Sequence, residues 1–147
     1  MEISAIRVKK IKPDAVLPTY GSEFSAGADL YACMEKDILI APGETVFIPT
    51  GLAMEIPAGF AGLIYARSGL ASKRGLAPAN KVGVIDSDYR GEIIVSLFNH
   101  SSQEVMLAPG ERIAQLVITP VLTPKFCEAD SLSETCRGEG GFGSTGK

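Results

Sequence analysis

The stretch "APGETVFIPTGLAMEIPAGFAGLIYA", residues 41–66, decides the fold class. Two turn signals, "APGE" (41–44) and "IPAG" (56–59), alternate with short runs that are rich in β-branched and aromatic residues. Proline supplies the fixed φ of the second turn position and glycine the positive φ of the third, which is typical of a type II turn. The stretch therefore predicts short strands joined by tight turns.

The same pattern continues on both sides. A second "APGE" occupies 108–111, and the remaining β-rich runs are "AIRVKKI" (5–11), "ADLYAC" (28–33), "DILI" (37–40), "KVGVI" (81–85), "EIIVSLFN" (92–99) and "RIAQLVITPVL" (112–122). Many short strands at close spacing are typical of a sandwich, jelly roll or barrel. We interpret the two "APGE" segments as hairpin turns of one type, and we expect the prolines in "FIPTG" and "VITPVL" to lie at edges or bends. The only helix candidate is "SGLASKRG" (68–75).

Composition narrows the class of protein. The chain has 147 residues, of which 46% are hydrophobic and 21% charged, as in an ordinary soluble domain. The net charge of −3 argues against a general nucleic-acid or membrane-surface binder. We find no signal peptide, no zinc motif among the three cysteines, and no apolar run near the ~20 residues of a membrane span. We expect a soluble protein of the cytoplasm.

The segment "RGEGGFGSTGK" (137–147) has the spacing of a phosphate-binding P-loop. A true P-loop needs a strand before it and a Ser or Thr that opens a helix after the lysine, and the sequence offers neither here. From about Ser131 the composition becomes Gly- and Ser-rich and cannot bury enough apolar surface to offset the entropy of ordering. We expect a folded domain over residues 1–130 and a flexible arm over 131–147.

The first stretch that could carry chemistry is "NKVGVIDSDYRGEIIVSLFN" (80–99). Its two β runs, joined by "DSDYRG", predict a hairpin or a tight β-arch. Asp86, at the end of a strand, is placed to take a proton from water, and Tyr89 offers a flat face to a sugar or base. The alternative is that Asp86 and Asp88 only make side-chain hydrogen bonds within the turn.

The second stretch is "ARSGLASKRG" (66–75). Arg67 offers a bidentate fork to phosphate oxygens, Ser68 offers a hydroxyl, and Gly69 lets a backbone N–H approach closely. The alternative is a solvated loop in which Ser68 is the N-cap of a helical turn.

Two polar residues lie inside apolar runs. Aspartate is rare in β-strands, so Asp29 needs a partner there. The partner is either a charged side chain in a structural salt bridge or a hydrated metal. Gln115 faces either a ligand or, as an alternative, a hydrogen-bond partner in the core.

Five segments occur in order: "AGADLYA" (26–32), "ARSGLA" (66–71), "NKVGVIDSDYRGEI" (80–93), "PGERIAQLV" (109–117) and "RGEGGFGSTGK" (137–147). With them the sequence resembles the trimeric, all-β dUTPase family. The resemblance implies a distorted jelly-roll or β-barrel-like subunit with at most one short helix, and a homotrimer with shared active sites. It also implies hydrolysis of dUTP to dUMP and pyrophosphate with Mg²⁺, which lowers dUTP and supplies dUMP for dTMP synthesis.

The resemblance also implies roles by position. Asp86 is expected to be the general base. The residues expected around the nucleoside are Asn80, Gly83, Val84 and Ile85 at the uracil edge, Tyr89 under the deoxyribose, and Ile94 at the flank. Those expected at the phosphates are Arg67, Ser68, Gly69 and Gln115. Asp29 is expected to act on Mg²⁺ through water, because Mg²⁺ keeps much of its hydration and is shared with substrate phosphates. In the arm, the expected contacts are Phe142 stacked on uracil, with Arg137, Gly143, Ser144 and Thr145 at the phosphates.

Two other functions stay open on the sequence. A dCTP deaminase, or a bifunctional deaminase and dUTPase, would need an acid/base pair beside the base, and the sequence identifies no pocket carboxylate besides Asp86. A nucleotide-sensing or protein-binding module would be marked by loss of Asp86 or of the arm, and both are present.

Overall fold

Twelve strands and one helix form the regular structure of residues 5–144 and 146, the part of the chain that the computed structural model describes. The strands are short because turn residues interrupt the apolar runs every few positions. They are β1 Arg7–Lys10, β2 Thr19–Tyr20, β3 Ala28–Tyr31, β4 Ile38–Ile40, β5 Thr45–Pro49, β6 Leu52–Glu55, β7 Phe60–Tyr65, β8 Leu76–Pro78, β9 Gly83–Ile85, β10 Ile94–Asn99, β11 Val105–Leu107 and β12 Arg112–Pro120. The helix, α1, spans Ser68–Arg74.

The strands form four antiparallel sheets. The largest has the order β2-β3-β12-β7-β9, a second has the order β5-β10-β8, and two pairs are β1-β6 and β4-β11. Of neighbours along the chain, only β2 and β3 pair with each other within the described residues. The all-β, jelly-roll-like fold with one short helix is therefore confirmed, although the sheets of the described part do not close into a barrel.

The "APGE" turns have the conformation that the sequence predicts but a different place in the fold. Gly43 has φ +76° and Gly110 φ +78°, and the N–H of Glu44 donates to the carbonyl of Ala41 at 3.0 Å. The interpretation as hairpin turns is wrong, because β4 pairs with β11 and β5 pairs with β10. Each turn carries the chain from one sheet to another, so that both sheets can cover the same core.

The segment 80–99 forms the β-arch rather than the hairpin. Strand β9 pairs with β7, whereas β10 pairs with β5 and β8. Residues 86–93, called the arch below, therefore cross from one sheet to the other. The expectation for the prolines is confirmed: Pro49 lies in β5, at the edge of its sheet, and Pro120 ends β12.

The core lies between the sheets and is almost entirely aliphatic. Its largest fully buried side chains include Leu30, Ile40, Ile48, Leu52, Leu97 and Ile113. The buried polar residues among those described are Thr50 and Asn99, and both are hydrogen-bonded. The side-chain amide of Asn99 donates to the carbonyls of Ile40 at 2.9 Å and Gln103 at 2.8 Å, which removes the cost of burying it.

Helix α1 begins three positions after the last residue of β7. Arg67, in extended conformation, is its N-cap, so the alternative with Ser68 as N-cap is wrong. The helix ends at Gly75, whose φ of 74° is left-handed and where a Cβ would lie 2.6 Å from that of Ser101. In the described part of the chain, no helix is both long and apolar enough to cross a membrane.

Candidate active site

A cavity of about 270 Å³ opens at the arch. We call it the arch cavity. Apart from Phe142 of the arm, its lining contains the residues that the sequence assigned to the nucleoside or to general base chemistry: Asn80, Gly83, Val84, Ile85, Asp86, Tyr89 and Ile94. The fold brings these residues together because the arch returns the chain beside the strand that it left.

Strand β9 forms one wall of the arch cavity with its backbone. It is the last strand of the five-stranded sheet, so one edge pairs with β7 and the other pairs with no described strand. A Cβ on Gly83 would lie 3.3 Å from the Cβ of Ile64 and 3.5 Å from the Nδ2 of Asn80. Glycine at this position therefore lets β9 pack closely against Ile64 of β7, with the Asn80 amide in ordinary contact beside it.

Asp86 lies exposed at the start of the arch. The turn that follows is closed by the main chain, with the N–H of Tyr89 donating to the carbonyl of Asp86 at 3.1 Å. Among the described residues, the carboxylates of Asp86 and Asp88 accept no hydrogen bond, so the alternative of side-chain hydrogen bonds within the turn does not hold. The Asp86 carboxylate is free to accept one from water.

The arch cavity also contains a carboxylate that the sequence analysis missed. Glu92 is part of its lining, which corrects the statement that Asp86 is the only pocket carboxylate. The Oε1 atom of Glu92 accepts a hydrogen bond from the N–H of Gly51 at 2.9 Å, and its main-chain carbonyl accepts one from Tyr89 Oη at 2.8 Å. The partner lies 41 positions away in the sequence, so no local pattern signals it.

A second cavity, of about 300 Å³, contains the residues outside the arm that were assigned to the phosphates. We call it the anion cavity. Its lining is Gly21, Ser25, Ala26, Gly27, Asp29, Arg67, Ser68, Gly69 and Gln115. It shares no residue with the lining of the arch cavity.

Gln115 is fixed from two sides in the anion cavity. It is the cross-strand neighbour of Asp29 on β3, and its Nε2 donates to the carbonyl of Ala66 at 2.8 Å. A Cβ on Gly27 would lie 3.0 Å from the Cδ of Gln115, so only glycine leaves room for this amide. Gln115 thus has a main-chain partner and also faces the cavity.

Asp29 forms the salt bridge that was one of its two alternatives. Its Oδ1 accepts from Arg67 Nε at 2.8 Å, and its Oδ2 lies 3.5 Å from Arg112 Nη1. The Asp29 and Arg67 side chains are 15% and 26% exposed, so the pair is only partly screened by water. Within the described residues the two Nη groups of Arg67 have no hydrogen-bond partner, which leaves their four N–H donors for a ligand.

The sequence profile described as dUTPase matches residues 14–146. The chain belongs to the dUTPase family. It is 51% identical over 144 residues to the deoxyuridine 5′-triphosphate nucleotidohydrolase of Desulfitobacterium hafniense (strain DSM 10664 / DCB-2), with 96% of this chain and 95% of that protein covered. It is 44% identical over 146 residues to the protein of the same name from Syntrophotalea carbinolica (strain DSM 2380 / NBRC 103641 / GraBd1), with 99% of each covered.

The fold agrees with this assignment. The dUTPase of Staphylococcus bacteriophage 80alpha, solved with dUPNHPP, superposes with a TM-score of 0.86 at 29% identity, covering 99% of this chain and 100% of that one. The family and the enzyme class expected from the five segments are thereby confirmed.

Few side chains of the described residues could bind a metal ion. No group of three or more His, Cys, Asp or Glu suited to a metal occurs among the described residues. Asp29 is the one carboxylate of the anion cavity, and each of its oxygens faces a guanidinium group. Mg²⁺ is commonly bound through one or two carboxylates, substrate phosphates and retained waters, so this cavity fits a hydrated Mg²⁺ that arrives with phosphates.

The arm of this dUTPase lies apart from both cavities. Arg137, Phe142, Gly143 and Ser144 line neither, and Thr145 is outside the described residues. The Arg137 Nε donates locally to the carbonyl of Gly140 at 2.7 Å, and the Phe142 side chain is fully exposed. The structure therefore does not bring the arm to the other predicted site residues of its own chain.

Proposed function

We propose that this chain hydrolyses dUTP to dUMP and pyrophosphate, with Mg²⁺ bound to the triphosphate, and so lowers dUTP and supplies dUMP for dTMP synthesis. One observation carries the proposal. A solvent-facing carboxylate, Asp86, stands at the rim of a cavity whose other wall is an unpaired strand edge. This is a nucleophile-activating group beside a surface suited to a planar base.

The free edge of β9 is the part that reads the base. An unpaired strand edge presents N–H donors and C=O acceptors, and the edge of uracil presents two carbonyl acceptors that flank one N–H donor. Gly83, Val84 and Ile85 supply the main-chain groups, and the Asn80 amide supplies one donor pair and one acceptor. Cytosine presents an amino donor where uracil has a carbonyl, so a rigid backbone edge that suits uracil leaves polar groups unpaired with cytosine.

The sugar is selected by the arch. The Tyr89 ring is held by its hydroxyl on the Glu92 carbonyl at 2.8 Å and gives the deoxyribose a flat support. Ile94, which is about half exposed, flanks the nucleoside on the returning strand. A ribose 2′-hydroxyl against the ring would lose its water without gaining a partner, which disfavours UTP.

The triphosphate is held by the anion cavity. The two free Nη groups of Arg67, the Ser68 hydroxyl and the Gly69 N–H are donors for phosphate oxygens, with Gln115 beside them. Mg²⁺ bound to the phosphates offsets their charge and orients them when it is present. Asp29 keeps acceptor lone pairs for metal-bound water while its two salt bridges fix Arg67 and Arg112.

Asp86 acts as the general base. Its carboxylate accepts a proton from a water molecule, which attacks the α-phosphorus in line as pyrophosphate leaves. Nothing in the proposal needs a covalent intermediate. Most of the rate enhancement comes from positioning and from electrostatic stabilisation by fixed donors.

A complete site needs more than one subunit in this proposal. The arch cavity and the anion cavity share no residue, and the arm contacts neither, so one chain supplies separate parts. A homotrimer in which the arm of residues 131–147 closes over a neighbour's nucleotide joins these parts. Phe142 would stack on uracil, with Arg137, Gly143, Ser144 and Thr145 at the phosphates. Glycines suit such an arm because it is loose before binding and lies close to the ligand afterwards.

The test is a panel of dUTP, dTTP, dCTP and UTP with Mg²⁺, scored for pyrophosphate, orthophosphate and ammonia. We expect pyrophosphate from dUTP alone at an appreciable rate. Reaction in H₂¹⁸O is expected to label dUMP and not pyrophosphate, because water attacks the α-phosphorus. Ammonia from dCTP would support a deaminase instead, and label in pyrophosphate would contradict the assigned site of attack.

A pair of variants tests the general base. Asp86→Asn is expected to bind the dUTP analogue dUPNHPP as the parent does and to lose about 10²–10⁴ in kcat, the range for a lost general base. Asp88→Asn is the matched control, because it changes an exposed carboxylate of the same turn and is expected to keep activity within about threefold. Equal activity of the two variants would refute the role of Asp86.

A further inference from the structure

We propose that Glu92 is a positioning residue that sets the preference for deoxyribose over ribose, by tying Tyr89 to a buried turn outside the pocket. The inference rests on the proposed function and adds to it a residue that has no assigned role. Three links carry it: from Tyr89 to Glu92, from Glu92 to Gly51, and from the Glu92–Ile93 segment to the turn 50–52.

The first link joins the tyrosine to the far end of the arch. Tyr89 Oη donates to the main-chain carbonyl of Glu92 at 2.8 Å, so the ring lies across Gly91. A Cβ on Gly91 would lie 2.6 Å from the Tyr89 Cζ, which no real Cβ contact allows. The position of the ring therefore follows the position of the Glu92 carbonyl.

The second link joins Glu92 to the turn between β5 and β6. Its Oε1 accepts a hydrogen bond from the Gly51 N–H at 2.9 Å, and Glu92 itself is half-buried. Gly51 has a left-handed φ of 68°, and a Cβ there would lie 2.8 Å from the Cβ of Ala15 and 2.9 Å from the Sγ of Cys33. The donor is thus part of a tightly packed turn that cannot follow a moving arch.

The third link makes this anchor rigid. The main-chain carbonyl of Ile93 accepts from Thr50 twice, from its N–H at 3.2 Å and from its Oγ1 at 2.6 Å. The N–H of Ile93 donates to the carbonyl of Leu52 at 2.8 Å, and Thr50 is completely buried. The arch therefore ends on a fixed support, and the Glu92 carboxylate extends that support by one residue toward Tyr89.

Discrimination against a 2′-hydroxyl depends on how closely the ring holds its position, since a displacement of about 1 Å at a reacting or recognising group can change rates 10²-fold. Loss of the carboxylate leaves the Gly51 N–H without its acceptor and removes one of the two attachments of the Glu92–Ile93 peptide to the turn 50–52. The remaining attachment, from the Ile93 N–H to the Leu52 carbonyl, holds only one side of that peptide, so the Glu92 carbonyl can tilt. The ring then moves with it, which opens room for ribose and supports deoxyribose less well.

The experiment compares Glu92→Ala, Glu92→Asp and Glu92→Gln with the parent and with Glu104→Ala, an exposed carboxylate outside both cavities, as the control. The readout is the ratio of kcat/KM for dUTP to that for UTP. We expect this ratio to fall about tenfold in the Ala and Asp variants, the scale of one lost hydrogen bond to a charged group. Glu92→Asp keeps the charge but is one methylene too short to reach Gly51. Glu92→Gln keeps an oxygen acceptor and is expected to stay within about twofold of the parent.

A second measurement does not depend on turnover. In ¹H–¹⁵N spectra, the Gly51 amide resonance is expected to move in Glu92→Ala and Glu92→Asp, which remove its acceptor, and to keep its parental position in Glu104→Ala. A merely structural role would lower the melting temperature and slow both substrates equally, leaving the ratio unchanged.

The outcomes separate this inference from the proposed function. A parent chain that hydrolyses no dUTP overturns both. A parent that hydrolyses dUTP, with Glu92→Asp at the parental ratio or with a Gly51 amide resonance that does not move in Glu92→Asp, overturns the role of Glu92 alone.

Discussion

Asp29→Asn is expected to destabilise the fold and to weaken nucleotide binding together, because one carboxylate orients the arginine of the anion cavity. The variant keeps the size of the side chain and removes its charge. Asn can still accept one hydrogen bond from Arg67 Nε, but the attraction to the two guanidinium groups at 2.8 Å and 3.5 Å is lost.

The magnitude follows from the burial of the pair. Two unit charges about 4 Å apart interact by about 4 kcal/mol near a protein surface. Desolvation of both groups offsets part of this, and Asp29 and Arg67 are 15% and 26% exposed, between the limits of surface and buried pairs. We expect a loss of about 2 kcal/mol in the free energy of unfolding, which corresponds to about 4–8 °C in melting temperature for a chain of this size.

The matched control is Glu55→Gln. Glu55 also faces two guanidinium groups, with Oε2 2.9 Å from Arg7 Nη1 and Oε1 3.8 Å from Arg90 Nη2. The distances are nearly those of Asp29, but Glu55 is 44% exposed and its two partners are 88% and 54% exposed. Its removal is expected to cost less than about 1 kcal/mol. Thermal unfolding at one fixed protein concentration measures both, since stability of an oligomer depends on concentration. Binding of dUPNHPP is expected to weaken about tenfold in Asp29→Asn and to stay unchanged in Glu55→Gln. Equal losses of stability in the two variants would refute the reasoning from burial.

Three further predictions concern other parts of the chain. Partial burial raises the pKa of Glu111, but hydrogen bonds from Arg74 and from the Ala108 N–H, with the Arg74 charge, outweigh it and leave the pKa below its ordinary 4.5. The ionised carboxylate therefore stabilises the fold above pH 4.5. The difference in unfolding free energy between the parent and Glu111→Gln is expected to disappear as the pH falls through the lowered pKa. Urea unfolding from pH 7 to 3 measures this difference. Burial, with the nearby Asp14 carboxylate, raises the pKa of the Cys33 thiol. A disulfide reagent at pH 8 is therefore expected to modify the exposed Cys127 and Cys136 at once and Cys33 only after unfolding. Rapid modification of all three thiols would contradict this. Deletion of residues 137–147 is expected to keep the melting temperature and the oligomeric state while removing most dUTP hydrolysis, and a fully active truncated chain would refute the role of the arm.

Local chemistry predicted what is local in this fold. The turn conformations at Gly43 and Gly110 follow from a Pro-Gly pair and its immediate neighbours, and the structure has them. Strand pairing does not follow in the same way, because an identical turn can join two strands of one sheet or pass between two sheets. In this fold the two turns pass between sheets, because the sheets bury their apolar faces against one core. The strands β2, β8 and β11 have two or three residues each, too few for an alternating pattern to be recognised.

In the candidate site, too, the residue types could be read from the sequence but the long-range contacts could not. The residue types at Asp29, Arg67 and Asp86 indicate ionic and proton-transfer chemistry from the sequence, and the fold gathers them into two cavities. The link between Glu92 and Gly51 depends on the distance between an arch and a turn that only the packed sheets define. Glu92 by itself resembles any glutamate in a loop, so its role could not be read before the structure.

The unpaired edge of β9 connects the fold to the proposed chemistry. A free strand edge is a hazard, because it can pair with another chain, and proteins limit it by keeping edge strands short and by placing charges beside them. Strand β9 has three residues and is followed directly by Asp86, so an extended chain cannot lie along it for long. A planar base needs only two or three hydrogen bonds and fits where a strand does not. The same shortness that protects the edge from aggregation therefore favours a nucleotide as its proposed partner, and Asp86, the proposed general base, follows this edge directly.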